Sequence, residues 1–390
     1  MRHSGNGFTL IDIVIVLAVF GVLLGTMIPF TIQMVHKTRE LQTLDELEKL
    51  RAAIIGDPVT VLNESRTQLG YVGDMGNLPS SLEDLYKKGS QPAYTFNTTK
   101  KTGAGWNGPY ISPEIVEHLE TLKTDAFGND YDYTTTPFTD STTGATVAGR
   151  IRSKGRDGTS DTSDDLSLSF FDSQIKSRIV GQIKDEVGEG VGGAVVTINY
   201  PSNGVLTSTT TTSDRFGFYT LDDITYGNRS ITIEPKLVVV AGSADVTGAN
   251  NNEIVFSVVN FSNTNIGITS YKAVYFSAPA AYYKTLIIGG VTVHDSDSNK
   301  LGSGETATFS AITIAGGTGV SDTLPTLIQS PVTTAGDIIP IGQLGRGQTK
   351  QIKMLNFRDS PTGGGQAVSM SGVPMEITFS DGSIVRFIPF

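Results

Sequence analysis

Four aspartates, Asp157, Asp161, Asp164 and Asp165, fall within nine residues of this 390-residue chain. The stretch around them, Ser153 to Gly158 and Asp161 to Leu166, is rich in turn-forming residues and can curl so that carboxylate and carbonyl oxygens face one point. Hard oxygen ligands of that kind suit calcium, and the same composition also describes a solvated acidic turn. An EF-hand is excluded, because no glutamate closes the loop in register and Leu166–Phe171 reads as a strand. A fifth acid, Asp12, stands out by its neighbours: Ile13 to Phe30 is a run of 18 residues without a charge. A carboxylate at lipid depth costs about 2.5–3.5 kcal/mol unless it is paired, so Asp12 calls for a partner.

Little else in the chain is equipped for chemistry. His3, His36, His118 and His294 are too scattered to share a metal-binding spacing, and the absence of cysteine excludes disulfides, thiolate metal sites and a cysteine nucleophile. No Gly-x-Ser-x-Gly elbow, phosphate-binding loop or dinucleotide fingerprint occurs, so an enzyme is not expected. With 29 basic against 39 acidic residues and no long basic tract, nucleic acid is not an expected partner. Apolar residues make up 38% of the chain, enough to bury the cores of two or three domains, while only 17% are charged. Gly, Ser, Thr, Asn and Asp dominate beyond the first 60 residues, a composition of strands and turns.

The element that must position Asp12 is an N-terminal helix. The uncharged run is long enough to span a bilayer, and the seven-residue leader, with no small-x-small site after the apolar core, argues against an ordinary signal peptide. Beyond Pro29 the pattern becomes amphipathic, with Leu41, Leu44, Leu47, Leu50 and Ile54 interleaved with charges. One helix from about Leu10 to about Ile55 is expected, on the order of 70 Å long, bent or locally melted at Pro29.

The residues Gly7 to Asp12 resemble the prepilin leader junction of type IV pilins and type II secretion pseudopilins. Counted from Phe8, Asp12 is fifth, Gly21 fourteenth and Pro29 twenty-second, the places where that family carries an acid, a glycine and a proline. The family usually has glutamate at the fifth place. The resemblance implies cleavage after Gly7 and N-methylation of Phe8 by a prepilin peptidase. It also implies a filament in which the Phe8 amine of one subunit neutralises Asp12 of the next.

Trp106 to Tyr110 and Thr124 to Tyr133 resemble elements of the major pseudopilin of type II secretion. Ala126 and Phe127 stand where that family has proline and tryptophan, and Asp161 where it has glycine. The Asp157–Asp165 stretch is similar to the family's calcium loop. Past residue 178 the chain alternates apolar and polar residues between glycine turns, which is half-buried strand periodicity. Residues 178–236 resemble carboxypeptidase-regulatory-like sandwiches of transthyretin type, most clearly from Asp214 to Tyr219. Residues 237–390 read as an Ig-like β-sandwich, with Gly316–Thr323 and Pro361–Gln366 as exposed loops.

The expected fold is therefore α+β and multidomain. It consists of a leader over 1–7, a transmembrane and filament helix over 8–55, a pseudopilin-like head over 56–177, and two all-β sandwiches over 178–236 and 237–390. The function that the resemblance implies is a structural subunit of a type IV pilus-like filament. It would be a single-pass inner-membrane protein before assembly and would drive secretion from the periplasm. Its partners would be other copies, other pilins or pseudopilins, prepilin peptidase and an inner-membrane platform. The alternative is a surface pilin or minor tip subunit whose β-domains adhere to a ligand.

Overall fold

The computed structural model describes residues 10–57, 61–62, 65–66, 69–111, 123–185, 188–277, 280–317, 322–328, 332–334 and 347–390. The chain divides into two units. The first contains Met1–Val72, Leu78–Ser90 and Asn107–Asp172; the second contains Gly73–Asn77, Gln91–Trp106 and Ser173–Phe390.

In the first unit, helix α1 runs Leu10–Ile55 without interruption, so the local melting expected at Pro29 does not occur. Strands β1 (Asp132–Thr134), β2 (Phe138–Thr139), β3 (Thr146–Ser153) and β4 (Leu166–Phe171) form one antiparallel sheet. Its centre is β3, which pairs with each of the other three. Alternation along β3 turns Val147 and Ile151 inward, both at 0% exposure, beside Phe170 of β4. The helix offers this core Thr43, Leu47, Leu50 and Ile54, spaced at three and four residues so that they share one face. Burying an aliphatic side chain of this kind contributes about 1.5–3 kcal/mol.

The predicted amphipathic face is therefore rotated. Leu41 and Leu44, expected on the buried side, are exposed, because Thr43 lies on the line of Leu47, Leu50 and Ile54 and they do not.

The second unit is almost wholly β. Its main strands are β5 (Lys176–Gln182), β6 (Val195–Ser202), β7 (Val205–Thr212), β8 (Phe218–Thr225), β9 (Gly227–Glu234), β10 (Leu237–Val239), β11 (Glu253–Asn260) and β12 (Ile266–Tyr275). They continue with β13 (Tyr282–Ile288), β14 (Val291–Asp295), β15 (Thr306–Ile314), β16 (Asp322–Ile328), β17 (Val332–Thr334), β18 (Thr349–Arg358), β19 (Met375–Phe379) and β20 (Ile384–Phe387).

Two sandwiches result. The sheets β7-β6-β9-β16 and β8-β5-β17 enclose a core that includes Ile179, Val196, Ile198, Leu221 and Ile231. The sheets β10-β11-β18-β13-β14 and β15-β12-β19-β20 enclose a larger one around Phe256, Tyr271, Tyr283, Met354 and Phe357.

The sandwiches do not follow one another cleanly along the chain. Between β15 and β18 the chain returns to the first sandwich, where β16 pairs antiparallel with β9 and β17 pairs parallel with β5. Asp322 and Thr323, expected in an exposed loop, thus begin a strand, while residues 318–321 lie outside the described residues. Pro325 is tolerated within it because β16 is at the sheet edge. Two segments from the region expected to be the head also join the first sandwich. The Met75 carbonyl accepts the Gly204 N–H at 2.8 Å, and Thr102, which is buried, donates its hydroxyl to the Asn228 carbonyl at 2.9 Å.

Candidate functional site

Along the first half of α1, the described apolar side chains stand exposed. Leu10, Ile11, Val14, Leu17, Phe20, Val22, Met27 and Phe30 are all between 55% and 80% exposed. Glycine at 21 carries no clash penalty either, since a Cβ there would meet nothing within 4 Å. A helix that is hydrophobic all round is stable only when something apolar surrounds it. Asp12 lies in the first turn of α1, at the boundary of this surface. Gly7 and Phe8 lie outside the described residues, and the side chains of Leu24, Thr26, Ile28 and Pro29 are likewise not described. Among the described residues, no helix holds an apolar run long enough to cross a membrane.

The acidic stretch occupies the loop between β3 and β4. It is built on Gly155, whose φ of +61° only glycine adopts at ease, and where a Cβ would stand 2.4 Å from the Asp164 carbonyl oxygen. Asp164 Oδ2 then accepts the N–H groups of Arg156 at 2.7 Å and Asp157 at 3.2 Å, and Asp165 Oδ2 accepts that of Asp161 at 2.8 Å. Three more carboxylate oxygens approach the Thr162 hydroxyl oxygen: Asp164 Oδ1 at 2.9 Å, Asp165 Oδ1 at 3.2 Å and Asp157 Oδ1 at 3.4 Å. One hydroxyl proton serves only one of them. Acceptors thus exceed donors at this point, and the Thr162 hydroxyl, followed by the backbone N–H groups, holds the Asp164 carboxyl below its usual range.

Asp161 is separated from these three by Arg152, whose guanidinium donates to it and, at 3.2 Å, to Asp132 Oδ2. Three of the four predicted aspartates therefore meet at Thr162, and the fourth joins the ion pair with Arg152, whose Nε also lies 3.8 Å from Asp165 Oδ2. Among the described residues no group of carboxylates and imidazoles stands ready-made as a metal centre. The loop supplies the oxygens and would have to draw them together.

Sequence reasoning passed over the residues that anchor this loop. Asp125, 4% exposed, accepts the Phe127 and Asn129 N–H groups on one oxygen and the Ser153 hydroxyl, at 2.5 Å, on the other. Asn129 donates to the Gly155 carbonyl at 2.8 Å, and Asp132 accepts from Ser160 at 2.7 Å. Tyr131 donates to Glu46 of α1 at 2.9 Å. Thr124 to Tyr133 is thus the brace between the helix and the acidic loop. The Thr124–Tyr133 stretch carries that signal in the sequence, but its polar residues resemble any turn until their partners are known.

Within the second unit, a separate hollow of about 570 Å³ is lined by residues of both sandwiches. Its walls include Phe216, Phe276, Phe387 and Phe390, with Arg215 and Arg386 at the Phe216 ring, 4.7 and 4.0 Å from its centroid. Arg386 is also paired with Glu376 at 2.6 Å. Tyr283 is fully buried in the core of the larger sandwich.

No family model matches the chain, and no curated protein matches it. Among solved structures, a protein of Bacteroides uniformis described as carbohydrate-binding is 12% identical, over 39% of this chain and 99% of that one, with a TM-score of 0.18. The backbone pilin of Streptococcus pyogenes is 11% identical over 49% of this chain and 41% of its own, with a TM-score of 0.18. The major pilin SpaD from Corynebacterium diphtheriae is 11% identical over 55% and 64%, with a TM-score of 0.17. Superposition at that level does not establish a common fold.

Proposed function

We propose that this chain is a structural subunit of a type IV pilus-like filament, most similar to a type II secretion major pseudopilin. The observation that carries the reading is the first half of α1, whose described apolar side chains are exposed and need lipid or other helices around them. The inner membrane fills that need before assembly and neighbouring subunits fill it afterwards. On this reading prepilin peptidase cleaves after Gly7 and methylates Phe8, the freed Phe8 amine pairs with Asp12 of a neighbour, and Gly21 and Pro29 shape the packing. An inner-membrane platform adds subunits, and the work is mechanical with no catalytic step.

Calcium belongs to the same proposal. Asp157, Asp164 and Asp165 would hold it, since their oxygens already approach one point without enough donors to satisfy them. Asp161 would serve only after release from Arg152. The ion would supply positive charge that locks the loop between β3 and β4.

The test is to shear intact cells, collect the released material and image it while probing for this chain, in parallel with Asp12→Ala. Filaments containing the chain are expected, with membrane insertion and processing intact in the variant but filament yield strongly reduced. Normal yield from Asp12→Ala would sink the registry role.

The hollow lined by Phe216, Phe276, Phe387 and Phe390 favours a second reading, a surface or tip subunit that adheres through its β-domains. A tip subunit would be present in few copies per filament, whereas a polymer-forming one would be the main component of the sheared material.

A further inference from the structure

The charge balance of the chain is acidic, yet one recess of the larger sandwich is framed by cations. Lys284 on β13, Lys300, and Arg358 at the end of β18 line a cavity of about 280 Å³ together with Asn356, Asp297 and the Gly363–Gly365 loop. Lys300 is 3% exposed, an unusual place for an ammonium group. It donates to the Asp297 carbonyl at 3.0 Å and to the Gly363 carbonyl. An ammonium has three N–H donors, so one is left for the cavity that Lys300 lines.

The walls are fixed. The Lys300 N–H is bound to the Pro361 carbonyl at 3.0 Å and the Gly363 N–H to the Asp297 carbonyl at 2.8 Å, which closes the Asp297–Lys300 turn onto the glycine loop. Arg358 gives one N–H to the Gly365 carbonyl at 3.3 Å and keeps other donors of its fork.

Acids nearby do not neutralise the recess. Asp297 pairs with Lys284 at 2.8 Å, and that hydrogen bond, reinforced by the fields of Lys284, Lys300 and Arg358, holds its carboxyl below the usual range. Asp359 is turned to the Gln366 N–H at 2.8 Å, and Asp295 accepts the Thr285 hydroxyl at 2.8 Å; neither lines the cavity. Three cations thus face one carboxylate. At Gly364 a Cβ would meet nothing within 4 Å, so the loop leaves the mouth open.

We propose that this recess is an oxyanion pocket that takes a sulfate or phosphate group, with Lys300 as its buried donor and Lys284 and Arg358 as its rim. A doubly charged oxyanion matches the excess of cations, and its several acceptor oxygens suit two point-charge ammonium groups and a planar guanidinium. The group could arrive as a free sulfate or phosphate ion or as a phosphate ester on a glycan, which keeps the second ionisable oxygen.

Calorimetric titration of the full chain in a non-ionic detergent, at constant ionic strength, tests this with sodium sulfate, phosphate, glucose 6-phosphate and glucuronate. Saturable binding of sulfate and phosphate at one site per chain is expected, with glucuronate at least about tenfold weaker because it carries a single charge. Tighter binding of glucose 6-phosphate than of phosphate would identify a glycan-borne group, and equal binding a free ion. Lys300→Met should abolish binding. Because that substitution alters a buried site, Lys284→Gln and Arg358→Gln are the decisive variants, each expected to weaken binding about tenfold while thermal unfolding stays unchanged. No saturable binding, equal binding of glucuronate, or binding indifferent to both rim variants would overturn the proposal.

Discussion

Arg229 shows how much one buried charge can organise. It is 1% exposed, and its guanidinium donates to the carbonyls of Thr225 at 2.8 Å, Gly73 at 2.9 Å, Asn228 at 3.0 Å and Tyr226, and to the Thr225 hydroxyl at 2.9 Å. Burial pushes the group down to about 9, with Asp74 opposing the shift, and it remains charged at neutral pH. Arg229→Met would strand several carbonyls at once, at an expected cost of about 3–5 kcal/mol in urea unfolding; a loss under about 1 kcal/mol would show that they find other donors. At the acidic loop the expectation concerns metal. Strong chelation should lower the melting temperature of the full chain, and Thr162→Val should leave that sensitivity in place, since its hydroxyl competes with the ion for the same oxygens. Identical melting with and without chelator would remove calcium from the account.

At the scale of elements, α1 serves two environments with one continuous helix. Its inward stripe of Thr43, Leu47, Leu50 and Ile54 belongs to the core of the first unit, whereas Leu41 and Leu44, at 55% and 42% exposure, extend the apolar surface of the first half. Substitutions on the two sides should therefore separate folding from assembly. Leu50→Ala is expected to destabilise the first unit by about 2–5 kcal/mol. Leu44→Asp should change stability by less than about 0.5 kcal/mol yet reduce filament yield in sheared material. Equal yields from Leu44→Asp and the unaltered chain would mean that this part of the helix faces water in the filament.

For the whole molecule, the decisive feature is the return of β16 and β17 to a sandwich that the chain has already left. A chain ending at Lys236 would lack both strands and leave the edges of β9 and β5 open. It should aggregate or unfold without a cooperative transition, because unpaired edges recruit other strands; a monomeric, cooperatively folding fragment would contradict this dependence. Val259 and Phe261, which come after β10 in the chain, also pack in the first sandwich's core, so a cut at 236 removes core as well as edge.

Local pattern made several features legible. The uncharged run and the charged heptad-like stretch after it specify a long helix, because helical periodicity is a property of neighbouring residues. Alternation and glycine turns specify strands, including Leu166–Phe171, for the same reason. The cluster of four aspartates was visible by spacing alone, but which three would converge was not, since Arg152 decides it from the neighbouring strand. Nor could spacing reveal that Thr43 takes the buried line of α1, that Lys300 is buried in a cationic recess, or that strands beyond residue 321 complete an earlier sandwich. Those outcomes depend on contacts between residues far apart in the chain, whose energies are set by burial and pairing in three dimensions and leave no periodic mark in the sequence.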